Sequence, residues 1–297
     1  MLRQFIFIII IATFMSSGCQ DRNPSDTSSG GQLTIRRMPK TMTVSTQNGD
    51  VSVLADPSLD HVEILWVAHL FSDDESNETN GTQRAELHQE WSRSDHLLLE
   101  PRFFGGAHRE NGMDLIVHLP DLSGLTIQTH NGDVHTRGTQ GQLAINNRRG
   151  SVSVTSHVGA ARLITSNGSI MVNGQVGDLL IQTSNGLVHV QELAGQPSIK
   201  ATNASISLHL NEDQRGPIFL ETSNAPIAFE VGPMFGGTIL AETTNASIHV
   251  IDSGDAIRRI SDGQSTKRIT MFDAGEASHV KTTNADIEGC IEAASAE

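Results

Sequence analysis

The feature that most constrains this chain is a repeat. Thr-Ser-Asn-Gly fills residues 165–168 and again 183–186. When the Gly of each Asn-Gly turn is taken as a mark, the marks fall at Gly132, Gly150, Gly168, Gly186 and Ala204, each 18 residues apart. Ala225 and Ala246 follow at gaps of 21, Ala285 follows after 39, and an isolated early copy, TQNGDVSV, has its mark at Gly49. Side-chain columns stay in phase with the marks. Two and four residues past lie Val134/Thr136, Val152/Val154, Ile170/Val172, Val188/Val190 and Ile206/Leu208. Thirteen past lie Ile145, Leu163, Ile181 and Ile199, and nine past lies a second glycine column, Gly141, Gly159, Gly177 and Gly195. Each unit reads as strand, Gly turn, strand, Asn-Gly turn, with alternating apolar residues in the strands.

Three architectures use such a unit. In a β-solenoid, equivalent residues of successive coils stack in parallel ladders about 4.8 Å apart. In an antiparallel meander, Asn-Gly is a hairpin turn and equivalent residues never touch. A triangular helix of hexapeptides needs a third apolar column, but Asn146, Gln182 and Lys200 there are polar beside Ile164. From Ala204 onward the turns read ATNASI, TSNAPI, TTNASI and TTNADI: Gly is lost and Asn stays. A hairpin turn of that type wants positive φ, which Ala resists, whereas stacked Asn side chains can pass amide hydrogen bonds from coil to coil. The reading is therefore all-β, a single β-solenoid (parallel β-helix or β-roll) of 18–21 residues per coil with irregular N-terminal capping strands. Its structural Asn ladder is Asn48, Asn131, Asn167, Asn185, Asn203, Asn224, Asn245 and Asn284, broken at Arg149, with Asn146 or Asn147 to compensate. Eight or nine coils give a rod roughly 40 Å long. A narrow seam of Val, Ile and Leu accounts for a core with aromatics at only 4% and no tyrosine.

The organisation expected around the repeat is a signal peptide over 1–18, a flexible tether over 19–32, one solenoid domain over 33–290 and a tail over 291–297. Within the domain, 33–120 is the irregular part and 121–290 the regular coils. The segment 251–281 reads as one coil plus an insertion, and EGCIEAASAE as a cap on the final rung. The N-terminus MLRQFIFIIIIATFMSSGC has an apolar run from Phe5 to Met15, the length of a signal peptide's apolar region and short for a membrane span. Ending in Gly-Cys, it resembles the lipobox of bacterial lipoproteins, although Ser16 stands where leucine is usual. That resemblance implies lipidation at Cys19 and a lipid-anchored, exported protein of the cell envelope.

The segment LIVHLPDLSGLTIQTHNGDVHT and the repeated T-x-N-G-x-[IV]-x-V resemble bacterial β-solenoid domains labelled "putative adhesin", related to the toast-rack group. The resemblance covers roughly 34–290. It implies an envelope protein and brings no catalytic residues with it.

Net charge is −14, which disfavours nucleic acid and anionic lipid as partners. No nucleophile-elbow, zinc-protease, phosphate-loop, dinucleotide or CxxC motif is present. His135, His189 and His249 share one outward column, and His189 with His209 on the next coil is a weak metal pair, read first as solvated histidines. Asp73, Asp74, Glu75 and Glu78 lack the spacing of a calcium loop. Asp50 and Asp133 are expected to form no carboxylate ladder. Glu100, Arg102, His108, Arg109 and Glu110 concentrate catalytic residue types in LEPRFFGGAHREN, a stretch read as an ordinary polar loop. Cys290 reads as a free thiol with no cationic neighbour in sequence.

No catalytic residue, metal or cofactor is therefore assigned. The expectation is a non-enzymatic protein presenting a rigid acidic solenoid for adhesion or protein–protein interaction, with an envelope protein or glycan as partner. The alternatives are a β-helix lyase or hydrolase acting on polysaccharide and a self-assembling envelope scaffold or stress-sensing component.

Overall fold

Ten rungs stacked along one axis carry the core, but their spatial order departs from chain order at both ends. The structure, a computed structural model, describes residues 27–71, 84–105, 109–252, 257–262, 265–271 and 275–292. The signal segment 1–18, Cys19, the acidic residues Asp73, Asp74, Glu75 and Glu78, His108 and residues 293–297 lie outside them. Among the described residues all regular structure is β, arranged in one sheet of 12 strands and one of 13. Each coil gives the thirteen-strand sheet its strand before the Asn corner and the twelve-strand sheet its strand after it. At the far corner a narrow third side is marked by single parallel bridges Gln140–Val158–Val176.

The 18-residue columns become ladders. Val134, Val152, Ile170, Val188 and Ile206 pair rung to rung in one sheet, and Leu125, Leu143, Ala161, Leu179 and Pro197 in the other. Alternation sends these residues inward. Val134, Val152, Ile170 and Val188 are wholly buried, each contributing roughly 1.5–3 kcal/mol by leaving water. Because every rung buries the same types, a seam this narrow needs little aromatic bulk.

Rung order is the first correction to the sequence reading. The early copy over 41–55 is no isolated element: it lies between the coil 96–119 and the coil 124–137, paired in parallel with both. The C-terminal coil 277–291 likewise lies between 219–231 and 238–252, paired with both. Each terminal segment is thus wedged between two coils that are consecutive in sequence. The described part of EGCIEAASAE is therefore no cap on the final rung, since Ile287–Ile291 is an interior strand. The segment 251–281 is not a coil with an insertion either. It contains Ile257–Asp262 and Thr266–Met271, an antiparallel pair added to the edge of Thr238–Glu242.

At the other end Val62–Leu70 and Thr27–Ile35 extend the twelve-strand sheet in antiparallel steps, and Arg84–Trp91 extends the thirteen-strand sheet. The expected tether therefore gives up Thr27 to Gln32 to a strand. These outer strands do cap the N-terminal end, while 41–55 and 96–119 inside them are regular rungs.

The Asn corners come in two kinds, and the loss of Gly from Ala204 onward does not carry back to the earlier corners. At Gly150 φ is +121°, and a Cβ there would sit 2.2 Å from the carbonyl oxygen of Gly132 in the rung below. Rungs stack so closely at this corner that no side chain fits. At Ala204, Ala225 and Ala285 the corner is rebuilt without positive φ, and buried threonines clamp it across rungs. Thr222 Oγ1 donates to the Ala204 carbonyl at 3.1 Å, Thr282 Oγ1 to Ala225 at 3.2 Å and Thr243 Oγ1 to Ala285 at 3.0 Å.

Candidate functional site

The Asn corner runs as a hydrogen-bonded spine down one side of the solenoid. Asn131 Nδ2 donates to Asn48 Oδ1 at 2.7 Å, Asn185 to Asn167 at 2.9 Å, Asn203 to Asn185 at 3.1 Å and Asn224 to Asn203 at 2.8 Å. The spine then follows spatial order: Asn284 donates to Asn224 and Asn245 to Asn284, both at 2.7 Å. At its N-terminal end Asn48 Nδ2 is taken by the carbonyls of Arg109 and Asn111. At the Arg149 break, buried Asn147 donates to the carbonyls of Gly132 and Gly150 and accepts from the Arg149 N–H. These amides are spent on one another, so the ladder is scaffold and offers a ligand little.

Rung order also overturns the expectation that Asp50 and Asp133 form no ladder. Asp114, Asp50 and Asp133 occupy three successive rungs, and each carboxylate accepts the backbone N–H of the next, from Asp50, Asp133 and Ser151, at 2.7–2.8 Å. Burial is the main cause that lifts the Asp50 carboxyl above its usual range, with Asp114 and Asp133 adding to it. One oxygen of each carboxylate is thus spent on the backbone, and the other oxygen of Asp114 meets His69 Nε2 at 2.9 Å. Asp286 repeats the device at the other end, accepting from the Ser247 N–H and hydroxyl, which hold its carboxyl below the usual range.

Among the described residues, two larger surfaces bring side chains together. One is a recess of about 480 Å³ on the outer face of the twelve-strand sheet. His209 Nδ1 lies 2.8 Å from Glu230 Oε2, and Cys290 sits beside Glu230 in the ladder. The His209 contact pulls the Glu230 carboxyl down, while the hydrogen bond to Glu230 pushes Glu292 up. Burial, then the negative Glu230, Glu292 and Asp252, raises the Cys290 thiol, so it is held as an unreactive thiol. His189 and His249 line the same recess, and His249 lies beside Glu288 in the ladder. Among the described residues no group of three or more His, Cys, Asp or Glu could hold a metal ion. His135 lies on another rung beside Ser52 and Ser153.

The second surface is larger: a groove of about 840 Å³ along the outside of the thirteen-strand sheet, crossing rungs from His96 and Thr41 at one end to Phe219 at the other. Its floor stays shallow because the outward column reads Thr126, Ala144, Arg162, Leu180 and Ser198, mostly short side chains, with Gln142, Asp178 and Gln196 along one margin. That 18-residue column was present in the sequence as a set of positions; its pooling into one groove needed the stacking. In the concentration around 100–110, Glu100, Arg102 and Arg109 are engaged in different places. Glu100 and Arg102 lie in a strand paired with His88 and Glu86 opposite, and Arg109 is joined to the Asn48 corner through its carbonyl.

No family model matches the sequence, and no curated protein matches it. Among solved structures, one similar chain is described as a "putative cell adhesion protein" from Clostridium sporogenes. The identity is 7% and the TM-score 0.26, over 90% of this chain and 100% of that one. A likeness at that level carries no argument about function.

Proposed function

We propose that the protein is a non-enzymatic, lipid-anchored component of the cell envelope, held by Cys19, whose solenoid is a rigid surface for adhesion or protein–protein interaction. The observation that carries this reading is the groove. It crosses successive rungs without interruption, is lined mostly by apolar and small uncharged residues, and bears a lone Arg162 and Asp178 as charged points. Such a surface suits an extended partner, an envelope protein segment or a glycan chain, laid along the solenoid axis; the net acidity speaks against nucleic acid.

The test is capture from envelope fractions by the wild-type protein and by an Arg162→Glu/Leu180→Asp variant. Both changes are on outward positions, so folding should survive. The reading expects a captured partner that the variant loses at least tenfold. Equal capture by both, or no partner together with normal surface attachment of a deletion strain, contradicts it.

A second reading, a hydrolase or lyase acting on acidic glycans, draws on the recess at Glu230, where a carboxylate is held 2.8 Å from His209 Nδ1. Cleavage of an acidic glycan by the purified protein, abolished by Glu230→Gln, would favour it over the first.

A further inference from the structure

The two sheets do not end level at the C-terminal end of the solenoid. Ile248–Asp252 is the last strand of the twelve-strand sheet, while the thirteen-strand sheet continues past its partner Thr238–Glu242 by two strands, Thr266–Met271 and then Ile257–Asp262. The overhang is roughly 10 Å tall at the usual strand spacing. The step leaves apolar surface in view. Ile248 and Val250 occupy the inward column but are only half-buried, whereas Ile287 and Ile227 in the rungs below are fully buried, and Ile251 is 53% exposed. The ladder points the same way. Ile287 N–H donates to the Ser247 carbonyl, so by alternation the peptide groups of Ile248 and Val250 face away from the rung beneath.

The opposite end is defended differently. One of its two outer strands, Arg84–Trp91, carries Arg84, Glu86, His88 and Glu90 at alternate positions. Arg37 stacks on Trp91 and Arg84 on Phe104, and the Trp66 ring lies against Gly31. Charges and covering aromatics are the usual means of blunting an edge. IHVID, the edge strand at the C-terminal step, has one carboxylate at its end, Asp252, and no cation stacked on an aromatic ring among the described residues.

From this step we infer that the C-terminal end is a homodimer interface, in which the overhang of one copy fills the recess of the other. Ile248–Asp252 runs away from the Asn corner. Ile257–Asp262 runs towards it, because two antiparallel pairings restore the direction of Thr238–Glu242. A two-fold axis through the Asn corner, perpendicular to the solenoid axis, exchanges the sheets. It lays Ile248–Asp252 antiparallel to the partner copy's Ile257–Asp262, and does so twice, so the contact is self-complementary and closes at two copies. The strands match in length at five and six residues.

Charge agrees with this pairing. The sequences IRRISD and TKRITM of the overhang carry Arg258, Arg259, Lys267 and Arg268, four of the 20 Lys and Arg in a chain of net charge −14. Residues 245–252 and 284–292, which form the recessed side, contain no Lys or Arg and contribute Asp252, Asp286, Glu288 and Glu292. Two identical acidic rods thus meet through the places where their signs are opposite. Thr27–Ile35 closes the far end of each rod, so the described residues of each copy begin at an outer end of the dimer. If the anchor at Cys19 proposed above holds, such a dimer would join two membranes, a consequence that rests on that reading while the pairing does not.

Sedimentation equilibrium of the full chain, with Cys19→Ser so that no lipid is attached, tests the pairing. A reversible monomer–dimer equilibrium is expected, with a limiting mass near twice 32.0 kDa and no larger species. Val250→Pro removes the outward-facing N–H together with a half-buried side chain, and should weaken the dimer at least tenfold with an unchanged circular dichroism spectrum. Arg258→Glu/Arg259→Glu, on the other partner strand, should weaken it comparably, and wild-type association should fall as salt screens the charges. A monomer at 100 micromolar and low salt, open-ended polymers, or a dimer that both variants leave intact would each overturn the inference. Because no lipid, membrane or envelope partner enters the experiment, these outcomes are independent of the proposed anchoring and of the groove.

Discussion

Replacing Gly150 with alanine is expected to destabilise the folded chain by more than about 3 kcal/mol, because strain at a forbidden φ adds to a backbone clash. The backbone there stands at φ +121°, and the new methyl would come 2.2 Å from the Gly132 carbonyl oxygen. That oxygen is held in place by Asn147 Nδ2, which donates to it at 3.0 Å, while the Gly132 N–H, bonded to the Arg149 carbonyl at 3.0 Å, ties the two rungs together. The matching change at the other kind of corner, Ala204→Gly, should cost only about 1 kcal/mol, from one buried methyl and added backbone freedom. Urea unfolding of the two variants beside the wild type measures both. Similar midpoints would show that the two corners are not physically different, against the geometry described above.

Truncation after residue 274 should have a comparably large effect, confined to one end. The coil 277–291 is the parallel neighbour of both 219–231 and 238–252, in both sheets. Without it, 238–252 would stand two rungs from the nearest coil, beyond hydrogen-bonding distance, and Phe229, whose ring fills the space left by Gly289, would lose its cover. Stability in a stacked fold is carried largely by nearest neighbours. The backbone amides of 238–252 should therefore lose exchange protection, while those of 124–194 keep it. Full protection of 238–252 in the truncated chain would contradict the rung order.

Most of the fold is legible in the sequence because stacking is a local property. The 18-residue columns fix which residues point inward, the register of each rung, and the persistence of Asn where Gly gives way to Ala. What they do not carry is which rung lies beside which. Val134, Val152, Ile170 and Ile287 present equivalent surfaces, so any coil can pair with any other in register, and chain order is only the default. That single gap accounts for several differences at once. By chain order the copy at Gly49 is isolated, 251–281 reads as one coil plus an insertion, and Asp50 is remote from Asp133, although in the fold they are neighbours. The capping strands were harder still, since antiparallel edges such as Arg84–Trp91 belong to no repeat. The candidate surfaces were visible only in part. The groove follows an outward column of the repeat, whereas Glu230 and Glu292 come together because the last coil enters out of order.

The wedged C-terminal coil is therefore the claim on which the ladder, the Glu230 cluster and the uneven end all depend, and a single cross-link tests it. In the observed order Glu230 is the ladder neighbour of Cys290, with strands at about 4.8 Å, inside the range a disulfide spans. In chain order its neighbour would instead be Ile251, which here lies two rungs away. The full chain with Cys19→Ser and Glu230→Cys should, on mild oxidation, link its introduced thiol to Cys290 within one molecule, as seen by mass spectrometry of the digested protein. The same chain with Ile251→Cys and Cys290→Ser should leave both introduced thiols free. A bond between positions 230 and 251, with none between 230 and 290, would contradict the account.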